Sequence, residues 1–247
     1  MNQPNRLLGV LGGLGPMSTV YFCELLNRHT KAACDGDHID MLISSRASTP
    51  DRTAFILGKS KKDPLPIMIE EAQRLERAGV DLIVIPCNTA HYFYEGIAGE
   101  CRVPILNIIE ETVKHLSRQG VHTMGLLATE GTVRSGAYEQ IARAHGMRVL
   151  TPNEREQAVI TSIIYDQIKQ NKAPDLEAFL RVADSLCARG CQRLVLGCTE
   201  LSLLKKAGLG GEIFVDSLDV LAYRTILSCG KEPIGFSTDF DRMEASE

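Results

Sequence analysis

Two cysteines stand where a thiol can do chemistry. Cys87 lies in Ile85-Pro-Cys-Asn-Thr-Ala-His91 and Cys198 in Leu196-Gly-Cys-Thr-Glu200, each directly after a short apolar run and before a helical pattern. A thiol at the start of a helix meets the positive end of the helix dipole and unpaired backbone N–H groups, both of which favour the thiolate. His91 follows Cys87 by four residues, on the same face of a helix. Cys87 with His91 can be read as the nucleophile and base of a cysteine hydrolase, but that leaves Cys198 without a role. No Cys-x-x-Cys pair points to disulfide exchange, and Cys187 with Cys191 lacks the second pair of a zinc knuckle. Two thiols facing one cleft suit proton inversion at carbon. One takes a proton from one face, the other delivers to the opposite face, and the roles exchange for the mirror-image substrate.

The elements that must position these thiols follow from the pattern of apolar residues. Apolar runs at 7–11, 41–43, 82–85, 105–106, 124–127, 149–150, 194–196 and 213–215 alternate with segments of 3.6-residue periodicity, such as 66–77. Continuous apolar strands separated by helices predict an α/β chain with parallel sheets covered on both faces. The polar stretch 45–64 is the longest expected loop, and long loops in compact domains are often functional. The chain also resembles itself. Gly9-Val-Leu-Gly-Gly-Leu-Gly-Pro matches Gly125-Leu-Leu-Ala-Thr-Glu-Gly-Thr at an offset of 116, and Cys87 matches Cys198 at an offset of 111. Two matches at nearly one period predict a duplicated α/β half. Residues 1–118 with 212–247 are expected to form one half and 119–211 the other. Both cysteines then sit at the carboxyl edge of a parallel sheet, where ligands bind, on opposite walls of one cleft between the halves.

Composition limits the partners. The 247 residues are 44% hydrophobic and 23% charged, which suits a globular chain and excludes disorder. A net charge of −4, no Trp and 5% aromatic residues argue against a nucleic-acid partner. No apolar run reaches 18 residues, so no membrane-spanning helix is expected. The first residues do not read as an export signal, and the eight cysteines are therefore expected to be reduced thiols in the cytoplasm. The turn Gly12-Gly13-Leu14-Gly15-Pro16 lacks the Gly-x-Gly-x-x-Gly spacing of a dinucleotide site. It is better suited to letting backbone approach the cleft.

Taken together, Gly12–Pro16, Pro86–His91 and Gly197–Leu201 resemble the motifs of the aspartate racemase family, within the cofactor-independent aspartate/glutamate racemases, in order and spacing along nearly the whole chain. The resemblance implies two pseudo-symmetric α/β domains with the active site between them, no pyridoxal phosphate or other cofactor, no metal, and a homodimer. It implies Cys87 and Cys198 as the two bases, with Asn88, Thr89 and Thr199 holding the α-carboxylate and Gly12 and Gly13 lining the site. Arg52 in Pro50-Asp-Arg-Thr53 and Lys169 in Ile164-Tyr-Asp-Gln-Ile-Lys169 match the family's substrate-binding cations, which favours a dicarboxylic substrate. Glu200 stands where glutamate racemases tend to carry histidine, which favours aspartate over glutamate; it would orient Cys198 or the substrate ammonium, or cap the helix. Arg46 is a further cation near Arg52 that departs from the family pattern. The expected reaction is inversion of aspartate. Its alternatives are glutamate, a broader set of amino acids, a hydantoin- or malonate-type acid, or a catalytically silent binding protein of the same fold.

Overall fold

The structure, a computed structural model, describes residues 6–237 and 240. The first five residues and the outermost part of the 212–247 segment (238–239 and 241–247) lie outside the described residues. In chain order the elements are β1 (Leu8–Gly12), α1 (Pro16–His29), β2 (Met41–Ser45), α2 (Arg52–Ile56), α3 (Leu65–Arg77), β3 (Leu82–Val84), α4 (Tyr94–Ala98), β4 (Ile105–Leu106), α5 (Ile108–Arg118), β5 (Thr123–Leu127), α6 (Glu130–Ser135), α7 (Ala137–Ala144), β6 (Arg148–Leu150), α8 (Glu154–Ser162), α9 (Leu176–Ala188), β7 (Arg193–Leu196), β8 (Phe214–Asp216) and α10 (Ser217–Ser228).

Each of the eight apolar runs forms a strand. They assemble into two four-stranded parallel sheets with the same order, β2-β1-β3-β4 and β6-β5-β7-β8. The shared order is the structural counterpart of the internal repeat. β1 and β3 of the first sheet and β7 of the second are buried almost throughout, which is why they read as unbroken apolar runs rather than as alternation. β8 falls in the 212–247 segment yet hydrogen-bonds to β7 of the second sheet, whereas α10, in the same segment, packs against α1 and α5. The segment therefore touches both halves.

One hydrophobic core joins the halves. It runs from Leu8, Val10 and Val84 through α1, α5 and α10 to Met124 and Leu126 of β5. Two further cores cover the outer faces, one under α3 and the other under α9. Side-chain caps set the helix starts: Asn107 accepts from the N–H of Ile109 for α5, and Asp175 from that of Ala178 for α9. In each sheet the strand order reverses between its first and third strands, and the loops at their carboxyl ends carry the glycine turn with Cys87 in one half and Thr129 with Cys198 in the other. Crevices at such reversal points are where open α/β sheets bind ligands.

Candidate active site

Cys87, from the first sheet, and Cys198, from the second, line one cleft. Both are buried. Arg52, Asn88, Thr89, Lys169, Thr199 and Glu200 line it with them, as do Leu14, Asp51, Thr53, Thr129 and Tyr165. The free space among these side chains is about 10 Å³, room for one water at most and less than an amino acid occupies. Contacts between the halves hold the walls together. Gly131 of α6 packs so tightly on Thr53 of α2 that an added Cβ would stand 2.8 Å from the threonine hydroxyl. Lys59 pairs with Glu130 across the same seam at 3.5 Å.

The elements after the two cysteines differ from the helices expected there. Thr89–Phe93 and Leu201–Ala207 are 3₁₀ segments of five and seven residues. Their short length limits any dipole, and the surroundings of Cys198 outweigh it. Burial pushes the Cys198 thiol well above the ordinary thiol range, and the Glu200 carboxylate pushes it further, against a smaller opposing effect of Lys169. The expectation of a lowered pKa at that position is thus overturned by desolvation and a neighbouring negative charge. The thiol donates to Glu200 Oε2 at 3.0 Å. The other oxygen of Glu200 binds Lys169, and Gly15 of the glycine turn leaves the room that this carboxylate needs. Burial works to lower the pKa of Lys169, but Glu200 prevails and raises it.

Lys169 reaches the cleft through an irregular helix end. After α8 the backbone continues as a π-helical turn, Ile163–Gln167, and then a 3₁₀ turn, Ile168–Gln170. Such π-turns are frequent at functional sites. Tyr165 in the turn lies 5.6 Å under the Lys169 ammonium, and burial raises its pKa.

Arg52 is buried at the start of α2. Its guanidinium donates to the carbonyls of Thr49 (3.3 Å), Pro50 (3.0 Å) and Leu14, its Nε has no partner, and among the described residues no carboxylate pairs with it. Arg46 behaves differently. It is ion-paired with Glu70 at 2.8 Å and Glu71 at 2.7 Å, away from the cleft.

The polar residues beside Cys87 are committed to holding the halves together. Asn88 donates to Ser217 Oγ at 2.9 Å and accepts from the Tyr138 hydroxyl at 2.7 Å. The Thr89 hydroxyl joins those of Thr129 and Thr132, each 2.9 Å away. What these residues offer a ligand is their backbone N–H groups, at the start of a 3₁₀ turn where the first N–H groups have no partner within the turn. His91 does not face the thiol. One ring nitrogen accepts from the Ile108 N–H at 3.2 Å, so the other donates to the Cys87 carbonyl at 2.9 Å, and burial lowers its pKa to about 4. A neutral ring bound to backbone is no partner for a hydrolase nucleophile.

Gly12 and Gly13 sit behind the lining, which begins at Leu14. Gly13 has φ of +80° and donates its N–H to Thr19 Oγ1 at 3.0 Å, and a Cβ there would run into the backbone of Arg46 and Ala47. The turn is shaped by chain packing against it. Among the described residues no three His, Cys, Asp or Glu side chains gather as a metal site requires, and no helix is long and apolar enough to cross a membrane.

The profile of the Asp/Glu/Hydantoin racemase family matches residues 11–224. The chain is 30% identical over 225 residues to the broad specificity amino-acid racemase RacX of Bacillus subtilis (strain 168), covering 89% of this chain and 96% of that protein. It is 27% identical over 179 residues to the glutamate racemase of Aquifex aeolicus (strain VF5), covering 67% and 68%. Its fold superimposes on the aspartate racemase of Picrophilus torridus with a TM-score of 0.82 and 27% identity, across 96% of this chain and 98% of the other.

Proposed function

This chain belongs to the Asp/Glu/Hydantoin racemase family, and on the premise that it is an amino-acid racemase we propose that it interconverts L- and D-aspartate with Cys87 and Cys198 as its two acid–base groups and with no cofactor. Arg52 carries the choice of substrate. A buried guanidinium with no carboxylate partner lies in the same cleft as the Lys169–Glu200 pair, while Asp51, the other acid of the lining, is exposed and caps the N–H of Ala54. The side-chain carboxylate of aspartate supplies the partner that this guanidinium lacks. A neutral amino acid would leave a desolvated cation unpaired, which costs several kcal/mol.

In the proposed reaction the α-carboxylate lies on the backbone N–H groups of Asn88, Thr89 and Thr199. These donors also stabilise the negative charge that builds as the α-proton leaves. Arg52 and Lys169 hold the side-chain carboxylate, and Glu200 takes the ammonium or steadies Cys198. One cysteine, as thiolate, removes the proton. The other, as thiol, delivers its own to the opposite face, and the low dielectric of the closed cleft strengthens each of these contacts. The proposal includes a cytoplasmic homodimer. Exposed Met17 and Val20 on α1 and Leu42 and Ile43 on the edge strand β2 are apolar side chains that a second copy would cover.

The 30% identity to a broad specificity racemase favours a second reading, in which neutral amino acids also turn over. Incubating the protein with a panel of enantiopure amino acids, followed by chiral chromatography, separates the two. Aspartate should invert fastest, with no added pyridoxal phosphate. Faster inversion of neutral amino acids would favour the broader reading, and inversion of no amino acid would reject both.

A further inference from the structure

We propose that a second cavity, walled by Phe214 and Phe236 and floored by Asp216, Asp219 and Lys205, binds a small primary amine carried on an apolar or aromatic body. The cavity measures about 430 Å³, in the range of small-molecule sites, and shares no lining residue with the cysteine cleft. It opens beside the carboxyl end of β8, at the same sheet edge that serves ligands in this fold class.

The charges at its floor select the ligand. Lys205 Nζ lies 2.5 Å from Asp216 Oδ2 and 2.6 Å from Asp219 Oδ2, so one ammonium serves two carboxylates, and Glu212 adds a third to the lining. Burial and the neighbouring Asp216 hold the Asp219 carboxyl up at about 6 despite Lys205. Two carboxylates share the one Lys205 ammonium, with Glu212 in the same lining, and a second cation would pair with them. Gln119 adds a waiting acceptor. Its amide nitrogen lies 2.8 Å from His115 Nε2, while its oxygen is buried without a partner. Acceptors at the floor and phenyl rings on the walls fit an ammonium on an apolar body. A carboxylate would meet two acids and a lysine already engaged.

The floor also leads to the cysteines. Asp216 accepts from Ser202 at 2.7 Å and from the Leu218 N–H at 2.9 Å. The next residue, Ser217, donates to the Leu196 carbonyl at 2.7 Å and accepts from Asn88 at 2.9 Å. Leu196 lies two residues before Cys198, and Asn88 follows Cys87.

Isothermal titration of the full-length protein with 2-phenylethylamine, with and without saturating succinate as a substrate-shaped dicarboxylate, tests the site. The expected result is one site per chain with Kd below about 1 mM, not displaced by succinate. Asp219→Asn should weaken it by about tenfold, as should Phe236→Ala should the first variant prove unstable, and 3-phenylpropionate should not bind. No saturable binding, displacement by succinate, equal affinity in both variants, or equal binding of the carboxylate would overturn the proposal.

Discussion

Replacing Arg52 by methionine removes the charge while keeping most of the volume. In the free protein this guanidinium is 8% exposed and makes hydrogen bonds only to the carbonyls of Leu14, Thr49 and Pro50. Its loss leaves those carbonyls without donors but also removes an uncompensated buried charge. The two effects oppose each other, so the melting temperature should stay within about 4 °C of the parent. Catalysis should respond differently. A substrate carboxylate that loses Arg52 and keeps only Lys169, itself shared with Glu200, in a desolvated cleft costs about 3–4 kcal/mol, equivalent to a fall of about 10²- to 10³-fold in kcat/KM for aspartate. Arg52→Lys, which keeps the charge and loses the two-pronged geometry, should fall by about tenfold. Chiral chromatography gives the kinetics, and thermal melts with succinate give binding, since a ligand at 100 times its Kd raises stability by about 2.7 kcal/mol. Succinate should protect the parent and fail to protect Arg52→Met. Normal aspartate kinetics with a normal melt would refute the pairing and make Arg52 a brace for the Leu14–Pro50 backbone.

Three further outcomes follow from the same geometry. Cys87→Ala and Cys198→Ala should each lower racemisation below detection, and near-parental turnover in either would remove that thiol from the reaction. Glu200→Gln takes away a negative charge that raises the Cys198 pKa, so iodoacetamide should label Cys198 at least about threefold faster at pH 8.5, read by peptide mass spectrometry; an unchanged rate would show that Glu200 does not govern the thiol. The buried His91 ring stays neutral down to about pH 4, while in the unfolded chain it protonates near pH 6.5. Its contribution is therefore intact above pH 6.5 and lost as pH falls to 4, by about 3 kcal/mol. His91→Gln should flatten that part of the urea-unfolding profile, and an unchanged slope would contradict the assignment.

All eight apolar runs form strands; the central ones were legible because burial on both faces leaves unbroken apolar runs, and the edge strands β2 and β6 were legible as short apolar runs although they are partly exposed. The repeat was legible because both halves return the chain to equivalent sheet edges. Applied at Gly13, the offset of 116 points to Thr129, which lines the cleft. Tyr165, four residues before Lys169, was also within reach of helical spacing. What local sequence did not carry was the set of partners. Asn88 looks free to bind a ligand until Tyr138 and Ser217 claim its amide across the junction of the halves. Arg46 and Arg52 look alike in sequence, and only the fold gives one of them Glu70 and Glu71 and leaves the other without a carboxylate. The stretch 45–64 reads as a polar loop, yet Asp51 caps the N–H of Ala54 and starts α2 there. The dipole argument for the thiols failed at Cys198 because it depended on a long helix and an open site, and the chain supplies a short 3₁₀ segment and a buried one.

The division of labour between Cys87 and Cys198 is tested most directly by running the reaction in deuterated water from one enantiomer of aspartate. Two separate bases predict that the opposite enantiomer carries deuterium at Cα from the first turnovers, because the thiol that delivers it has exchanged with solvent. The remaining starting enantiomer stays protiated at early times. Early product that is mostly protiated would mean that a single group carries the proton from one face to the other, and would contradict the two-thiol mechanism.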